Sequence, residues 1–233
     1  MKIAVEGCAH GELEKIYDTI ALIEKQENLK VDLLICCGDF QSTRNEEDLA
    51  CMACPPKYRD MCSFYNYHCF CFTVIIVSVS QLSGKIDIMC SHDWPQGVYH
   101  FGNVAQLVKH KPYFKQEIEE NRLGSSVCEE LSGKIDIMCS HDWPQGVYHF
   151  GNVAQLVKHK PYFKQEIEEN RLGSSVCEEV MKQLKPSYWF SAHLHTKFSA
   201  VIPYTDGSRT KFLALDKCLP KRRFLQILDI EHK

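Results

Sequence analysis

The sequence predicts an α/β protein, and three observations carry that class. A short apolar run, a segment of helical periodicity and a second apolar run follow one another at the start of the chain. Further apolar runs of strand length recur through the C-terminal half, with turn residues between them. Hydrophobic residues make up 45% and charged residues 24% of 233 residues, enough apolar material for one large domain or two small ones.

KIAVEG (2–7) reads as a strand ended by glycine. In 11–26, Leu13, Ile16, Tyr17, Ile20 and Ile23 recur at the spacing of one helix face. VDLLICC (31–37) has no polar face beyond its first residues, so it predicts a strand buried on both sides that ends in Gly38-Asp39. Strand, helix and strand at this spacing imply a parallel pair with a right-handed crossover. Residues 56–66 read as helical and 70–79 as a further strand. SYWFSA (187–192), AVIPY, TKFLALD and RFLQILDIE then predict four strands, with Thr205-Asp206-Gly207 as a turn.

Between these halves stands a duplication. Residues 82–130 recur as 131–179 without a substitution in 49 positions. Solenoid repeats diverge and need about three units to bury a shared core, so two identical copies do not describe a solenoid. They point to a very recent exon duplication or to an error in the assembly of the gene. Each copy holds a strand (IDIMC), a His-Asp-Trp-Pro turn and a helix, over Tyr113–Arg122 or Tyr162–Arg171, and 180–185 continues in helix.

The formal net charge is −3, which announces neither a nucleic-acid nor a membrane partner. Residues 180–233 are nevertheless basic, with ten Lys/Arg against four Asp/Glu. That portion could meet a polyanion or could simply be a solvated surface. Thirteen cysteines, several inside predicted strands, suit a reducing intracellular compartment, and MKIAVEGC is too short an apolar opening for a signal peptide. Cys51-x-x-Cys54 and Cys69-x-Cys71 lack the further spacing of a zinc knuckle. The apolar run FTVIIVSV (72–79) is too short to span a bilayer, so no membrane partner is expected.

Metal-binding side chains stand just past four of the predicted strands. Cys8 and His10 follow the first, Asp39 the second, His92 or His141 the IDIMC strand, and His193 and His195 follow SYWFSA. Sites in open α/β sheets form outside the carboxyl ends of strands, so these residues could meet in one crevice. Thiolate, imidazole and carboxylate bind divalent first-row metals, and the two oxygens of a carboxylate can bridge a pair of ions. A pair of ions can activate a water and stabilise the leaving oxygen of a phosphate ester. Taken one at a time, each residue could equally be a loop histidine, a turn aspartate or a buried thiol.

The order Cys8-x-His10, Gly38-Asp39, a lone strand-end histidine and Ala192-His193-Leu194-His195 resembles the metallophosphoesterases, and within them the RNA lariat debranching enzymes, which carry cysteine in place of the first aspartate. GCAHGELEKIYDT, DLLICCGDFQSTRNEEDL, PPKYRDM, SHDWP, LKPSYWFSAHLHTKF and TKFLALDKCLP all carry that likeness. The resemblance implies a metallophosphoesterase-like β-sandwich flanked by helices, with the 49-residue duplication inside it. It assigns 1–209 to the phosphoesterase domain and 210–233 to the truncated start of a C-terminal region. It also implies hydrolysis of the 2′–5′ phosphodiester of branched (lariat) intron RNA in the nucleus. Two divalent ions, drawn from iron, zinc and manganese, would be held by Cys8, His10, Asp39 and His195 around one and by His141 and His193 around the other, with Asp39 as the bridge.

The sequence departs from this family at one block. Gly-Asn-His-Glu, whose asparagine completes the second metal's shell and whose histidine protonates the departing ribose oxygen in the family, is missing. The chain passes from HCFCFTVIIVSVSQ directly into the first repeat, and its two Gly-Asn pairs, Gly102-Asn103 and Gly151-Asn152, are each followed by valine. The resemblance therefore implies an impaired debranching enzyme. The alternatives are an inactive chain that binds branched RNA or a splicing partner, and a general phosphodiesterase. His141 is the expected ligand rather than His92, because the chain after it runs straight into SYWFSAHLH.

Overall fold

The computed structural model describes residues 1–52, 54, 56, 59–66, 88–90 and 136–230. His92, Cys69, Cys71 and the predicted strand over 70–79 lie outside the described residues. The chain divides into two compact units that interleave along the sequence. One takes Met1–Ile75, Ala192–Lys197 and Ala214–Lys233; the other takes Ile76–Ser191 and Phe198–Leu213.

The first unit contains β1 (Lys2–Cys8), α1 (Leu13–Glu27), β2 (Leu33–Gly38), α2 (Glu46–Cys51) and β8 (Leu225–Asp229), with its sheet in the order β2-β1-β8. β1 and β2 are parallel, as the strand–helix–strand pattern predicts, with Ile3 opposite Leu33 and Cys8 opposite Gly38. β8 closes the other side of β1 antiparallel. Because β1 is hydrogen-bonded on both edges, its end is fixed from two directions. α1 lays Leu13, Ile16 and Ile20 against Ala4, Ala9 and Cys218, which is the apolar stripe read from its periodicity. Its first turn is capped from outside, since the Glu14 amide donates to Ser63 Oγ at 3.0 Å and that hydroxyl donates to the Gly11 carbonyl at 3.2 Å.

The second unit carries β3 (Ile88–Cys90), β4 (Ile137–Cys139), α3 (Val153–His159), α4 (Phe163–Glu168), α5 (Ser175–Leu184), β5 (Tyr188–Ser191), β6 (Phe198–Pro203) and β7 (Arg209–Ala214). Its sheet order is β3-β4-β5-β7-β6. β3 and β4 are the same tripeptide from the two copies of the repeat, paired parallel and in register with Ile88 opposite Ile137. The duplicated strand thus lies beside its twin at the end of the described sheet order. In β6 buried and exposed residues alternate strictly, which marks a sheet face turned to the core. Trp143 stacks on Phe198 with ring centroids 5.1 Å apart and meets Phe212 edge-on at 5.4 Å.

Several predicted elements change their limits. Of the described residues in 56–66, Pro56 and Phe64–Asn66 lie in 3-10 helix and none in α-helix. The helix expected over Tyr162–Arg171 is shorter, Phe163–Glu168, because Asn170 takes a left-handed φ of 50° and ends it. α2 and α3 were not anticipated, although each begins at an asparagine cap. The Asn45 and Asn152 side chains accept from the amides of Asp48 and Gln155 at 2.8 and 2.9 Å.

Glu6 is an exception to the apolar interior of β1. It is fully buried between Cys36 of β2 and Leu225 of β8, and burial pushes its carboxyl from 4.5 up to about 8, against a smaller opposing pull from the Cys36 thiol. The folded chain therefore keeps a proton that the unfolded chain releases between pH 4.5 and about 8. Stability is greatest below that window and falls as pH rises through it, by at most about 1.4 kcal/mol per pH unit. Glu6→Gln, which mimics the protonated acid, should flatten this slope in urea unfolding at pH 5 and pH 8 with chelator present. Equal losses in both proteins would contradict it.

Candidate metal centre

Cys8 is the last residue of β1, fully buried, and the chain turns sharply after it. His10 and Gly11 take left-handed φ values of 45° and 77°. A Cβ on Gly11 would also lie 2.9 Å from the Cys62 Cβ, so the turn requires glycine there on both counts. Parallel pairing brings the loops after β1 and β2 to the same sheet edge. They are then tied together, as the His10 amide donates to the Asp39 carbonyl at 2.7 Å and the Gly11 amide to Phe40 at 2.9 Å.

The third contribution comes from Ala192–Lys197, the segment after β5 that belongs to the same unit. The Leu194 amide donates to the Ala192 carbonyl at 2.7 Å, and His193 and His195 both have left-handed backbones, with φ of 57° and 47°. A non-glycine residue in this region costs on the order of 1 kcal/mol, so three histidines here hold strain that the surrounding fold must offset. Such strain collects where side chains are aimed at a common point.

That point is defined by four donor atoms. One from each of Cys8, His10, Asp39 and His195 lies within 4.8 Å of all the others. His10 Nε2 stands 3.5 Å from His195 Nε2 and 3.8 Å from Asp39 Oδ2, and the two imidazole planes are inclined by 67°. Burial lowers the proton affinity of His10 more than the Asp39 carboxylate raises it. For His195, burial, the neighbouring His10 and Lys217 together bring the value down to about 4. Both rings are therefore neutral at physiological pH and have a lone pair to offer. Burial pushes the Cys8 thiol up to about 12, with Asp39, Glu6 and Asp216 adding to it against a backbone hydrogen bond at His193. A divalent ion reverses that balance, because its charge favours the thiolate. Two neutral imidazoles, one carboxylate and one thiol at this separation fit a divalent first-row ion.

These four sequence-predicted residues come together. His193 is exposed, two residues before His195 on the same strained loop. His141 follows β4 in the second unit, half-buried, in a loop fixed locally by Ser140, whose hydroxyl donates to the Asp142 carbonyl at 2.7 Å and whose amide donates to Phe190 at 3.0 Å. No disulfide forms among the described cysteines, and no described helix is long and apolar enough to cross a membrane. Sequence reasoning missed Lys217, which pairs with Cys8 as an isolated parallel bridge. Its place within TKFLALDKCLP was visible, but nothing in the spacing tied it to the first strand.

A metal-ligand cluster at strand ends of a mixed α/β chain defines a metallophosphoesterase-type protein. Residues 1–197 match the calcineurin-like phosphoesterase family, and the chain belongs to it. Residues 207–233 match the C-terminal domain of lariat debranching enzyme. Along nearly its whole length the chain is similar to lariat debranching enzymes. It is 42% identical to that of Drosophila pseudoobscura pseudoobscura over 99% of this chain and 56% of the relative. It is 42% identical to the human enzyme over 100% and 50%, and 41% identical to that of Arabidopsis thaliana over 99% and 63%. The chain thus spans between half and two thirds of these relatives. The human match runs over 320 residues against a chain of 233, so the relative carries stretches with no counterpart here.

Loss of one ligand from a site of four should be visible without turnover. After equilibration with Mn²⁺ or Zn²⁺ and desalting, His195→Ala and Asp39→Asn should each retain at least about tenfold less metal than the parent chain by elemental analysis. Retention equal to the parent would remove both residues from the site.

Proposed function

We propose that this chain is a divalent-metal phosphodiesterase of the lariat-debranching type, directed at the 2′–5′ phosphodiester of a branched intron RNA in the nucleus. The observation that carries the reading is the convergence of Cys8, His10, Asp39 and His195 within 4.8 Å. The similarity to lariat debranching enzymes along the chain supports it. The family's helix-flanked β-sandwich belongs to the same reading.

By this reading Cys8, His10, Asp39 and His195 would hold one ion, and His141 and His193 would serve a second, with Asp39 common to both. Iron, zinc and manganese are the candidate ions. A bound divalent ion supplies an activated water and neutralises charge on the phosphate. The chain's own residues set where that happens, since Cys8, His10, Asp39 and His195 already lie together and burial keeps both rings neutral. The departing ribose oxygen still needs a proton, and the family's Asn-His pair that would serve it is missing. Losing a general acid costs about 10²–10⁴ in rate, so turnover is impaired. The same loss favours, as the second reading, a chain that binds branched RNA without cleaving it.

A branched RNA with one 2′–5′ linkage and a linear 3′–5′ RNA of the same composition separate these readings. Slow cleavage confined to the branch, dependent on added metal, is the expected result. Tight binding without cleavage supports the binding reading, and faster cleavage of the linear RNA supports a general phosphodiesterase. A rate equal to an intact relative's overturns the impairment. The second site has its own test, in which His141→Ala lowers bound metal by about half and His92→Ala leaves it unchanged. The reverse outcome would move the ligand to the first copy.

A further inference from the structure

Four of the nine described Lys/Arg side chains of the basic C-terminal portion are committed to local partners. Lys185 is 2.6 Å from Asp206, Lys182 is 2.7 Å from Glu178, Arg222 is 3.2 Å from Asp216, and Lys211 lies over the Tyr188 ring. Lys217 differs from them. It is half-buried, and its ammonium makes no ion pair among the described residues. Its neighbour Asp216 does not serve it, because one Asp216 oxygen accepts from Arg222 and the other from the Lys217 backbone amide at 2.8 Å.

The backbone fixes where the Lys217 side chain leaves the chain. Cys8 and Lys217 face each other as a parallel bridge, and the Cys218 amide donates to the Cys8 carbonyl at 3.1 Å. Gly7 allows the approach, since a Cβ there would run into the Asp216 carbonyl oxygen. A lysine in that place works against a dication at the same centre. An anion held at that centre is attracted by both positive charges.

We infer that Lys217 is a phosphate-anchoring residue: its side chain, which leaves the backbone opposite Cys8 at their isolated bridge, takes a non-bridging oxygen of the phosphodiester bound at the Cys8–His10–Asp39–His195 centre. The inference rests on the metal-site reading given above. An ammonium donating to a phosphate oxygen forms a charge-assisted bond on a compact, rotatable head. It neutralises part of the diester's charge without occupying a metal position. Lys221 and Arg223 belong to the same basic run but have no such bridge to β1, so the residue is specified by its register and not by its charge alone.

Inorganic phosphate is the probe, titrated into the Mn²⁺-loaded full chain with metal content measured on the same samples. Lys217→Ala should keep its metal and bind phosphate about tenfold more weakly, with a shallower dependence on salt. Lys217→Arg should recover most of the affinity. Phosphate affinity in Lys217→Ala equal to the parent, at equal metal content, overturns the inference and leaves the metal site standing. Loss of metal in Lys217→Ala that Lys217→Arg does not restore also overturns it, by making the lysine a support of the centre. A parent chain that takes up no metal overturns the metal-site reading itself, and the anchoring role with it.

Discussion

The end of β1 is the constraint on which the site depends. Gly7 donates to the Phe224 carbonyl at 3.0 Å, Cys8 donates to Asp216 at 3.4 Å, and Cys218 returns a bond to Cys8 at 3.1 Å. On the other edge, Cys8 stands opposite Gly38 of β2. Two segments more than 170 residues apart in sequence thereby clamp a single strand end. Three of the four clustered donors are counted from that clamp: Cys8 lies within it, His10 leaves it, and Asp39 leaves the strand beside it. Loops are where metal ligands are commonly found, yet a loop alone would not hold four donor atoms within 4.8 Å. Here the precision comes from backbone hydrogen bonds between strands, and the loops inherit it.

The electrostatics follow from the same burial. Glu6, Cys8, His10 and His195 are all shifted toward their neutral forms, with desolvation the leading cause in each case. Three of the four donors, the thiol and the two imidazoles, are neutral and so cheaper to bury than charges, which helps the chain form the centre before an ion arrives. Neutral imidazoles are also the form that ligates. Cys8 has to give up its proton to do so, so metal uptake at this centre is coupled to proton release.

How much of this was legible in the sequence depends on whether the signal was local. The parallel β1–α1–β2 unit was legible, because an apolar run, a helical stripe and a second apolar run each announce themselves within a few residues. So were Cys8, His10, Asp39 and His195, because each stands immediately past a readable strand. The 3-10 turn at Phe64–Asn66 lies within the stretch 56–66 that reads as helical from the sequence. α2 and α3 were overlooked although Asn45 and Asn152 offered caps, since both helices are only one to two turns long and bury little. Lys217 was not legible at all. Its role derives from pairing with Cys8 across the chain, and no local pattern encodes a bridge between residues so far apart.

The duplicated segment shows how a sheet can accept a sequence that chemistry does not need. Ile-Met-Cys from the first copy pairs in parallel with Ile-Met-Cys from the second, so its backbone donors and acceptors meet a partner strand that is identical to it. A strand is accepted at a sheet edge if it satisfies the ladder and its pattern suits the faces, and a copy of the neighbouring strand satisfies both by construction. Ligation is stricter, because it asks for a particular residue at one strand end. The first copy brings another His-Asp-Trp-Pro, while the Gly-Asn-His-Glu that the family uses is not restored by any repetition of it. Fold and chemistry therefore make different demands: a sheet is extended by hydrogen bonding that any suitable strand can supply, whereas ligation and catalysis depend on particular side chains at one strand end.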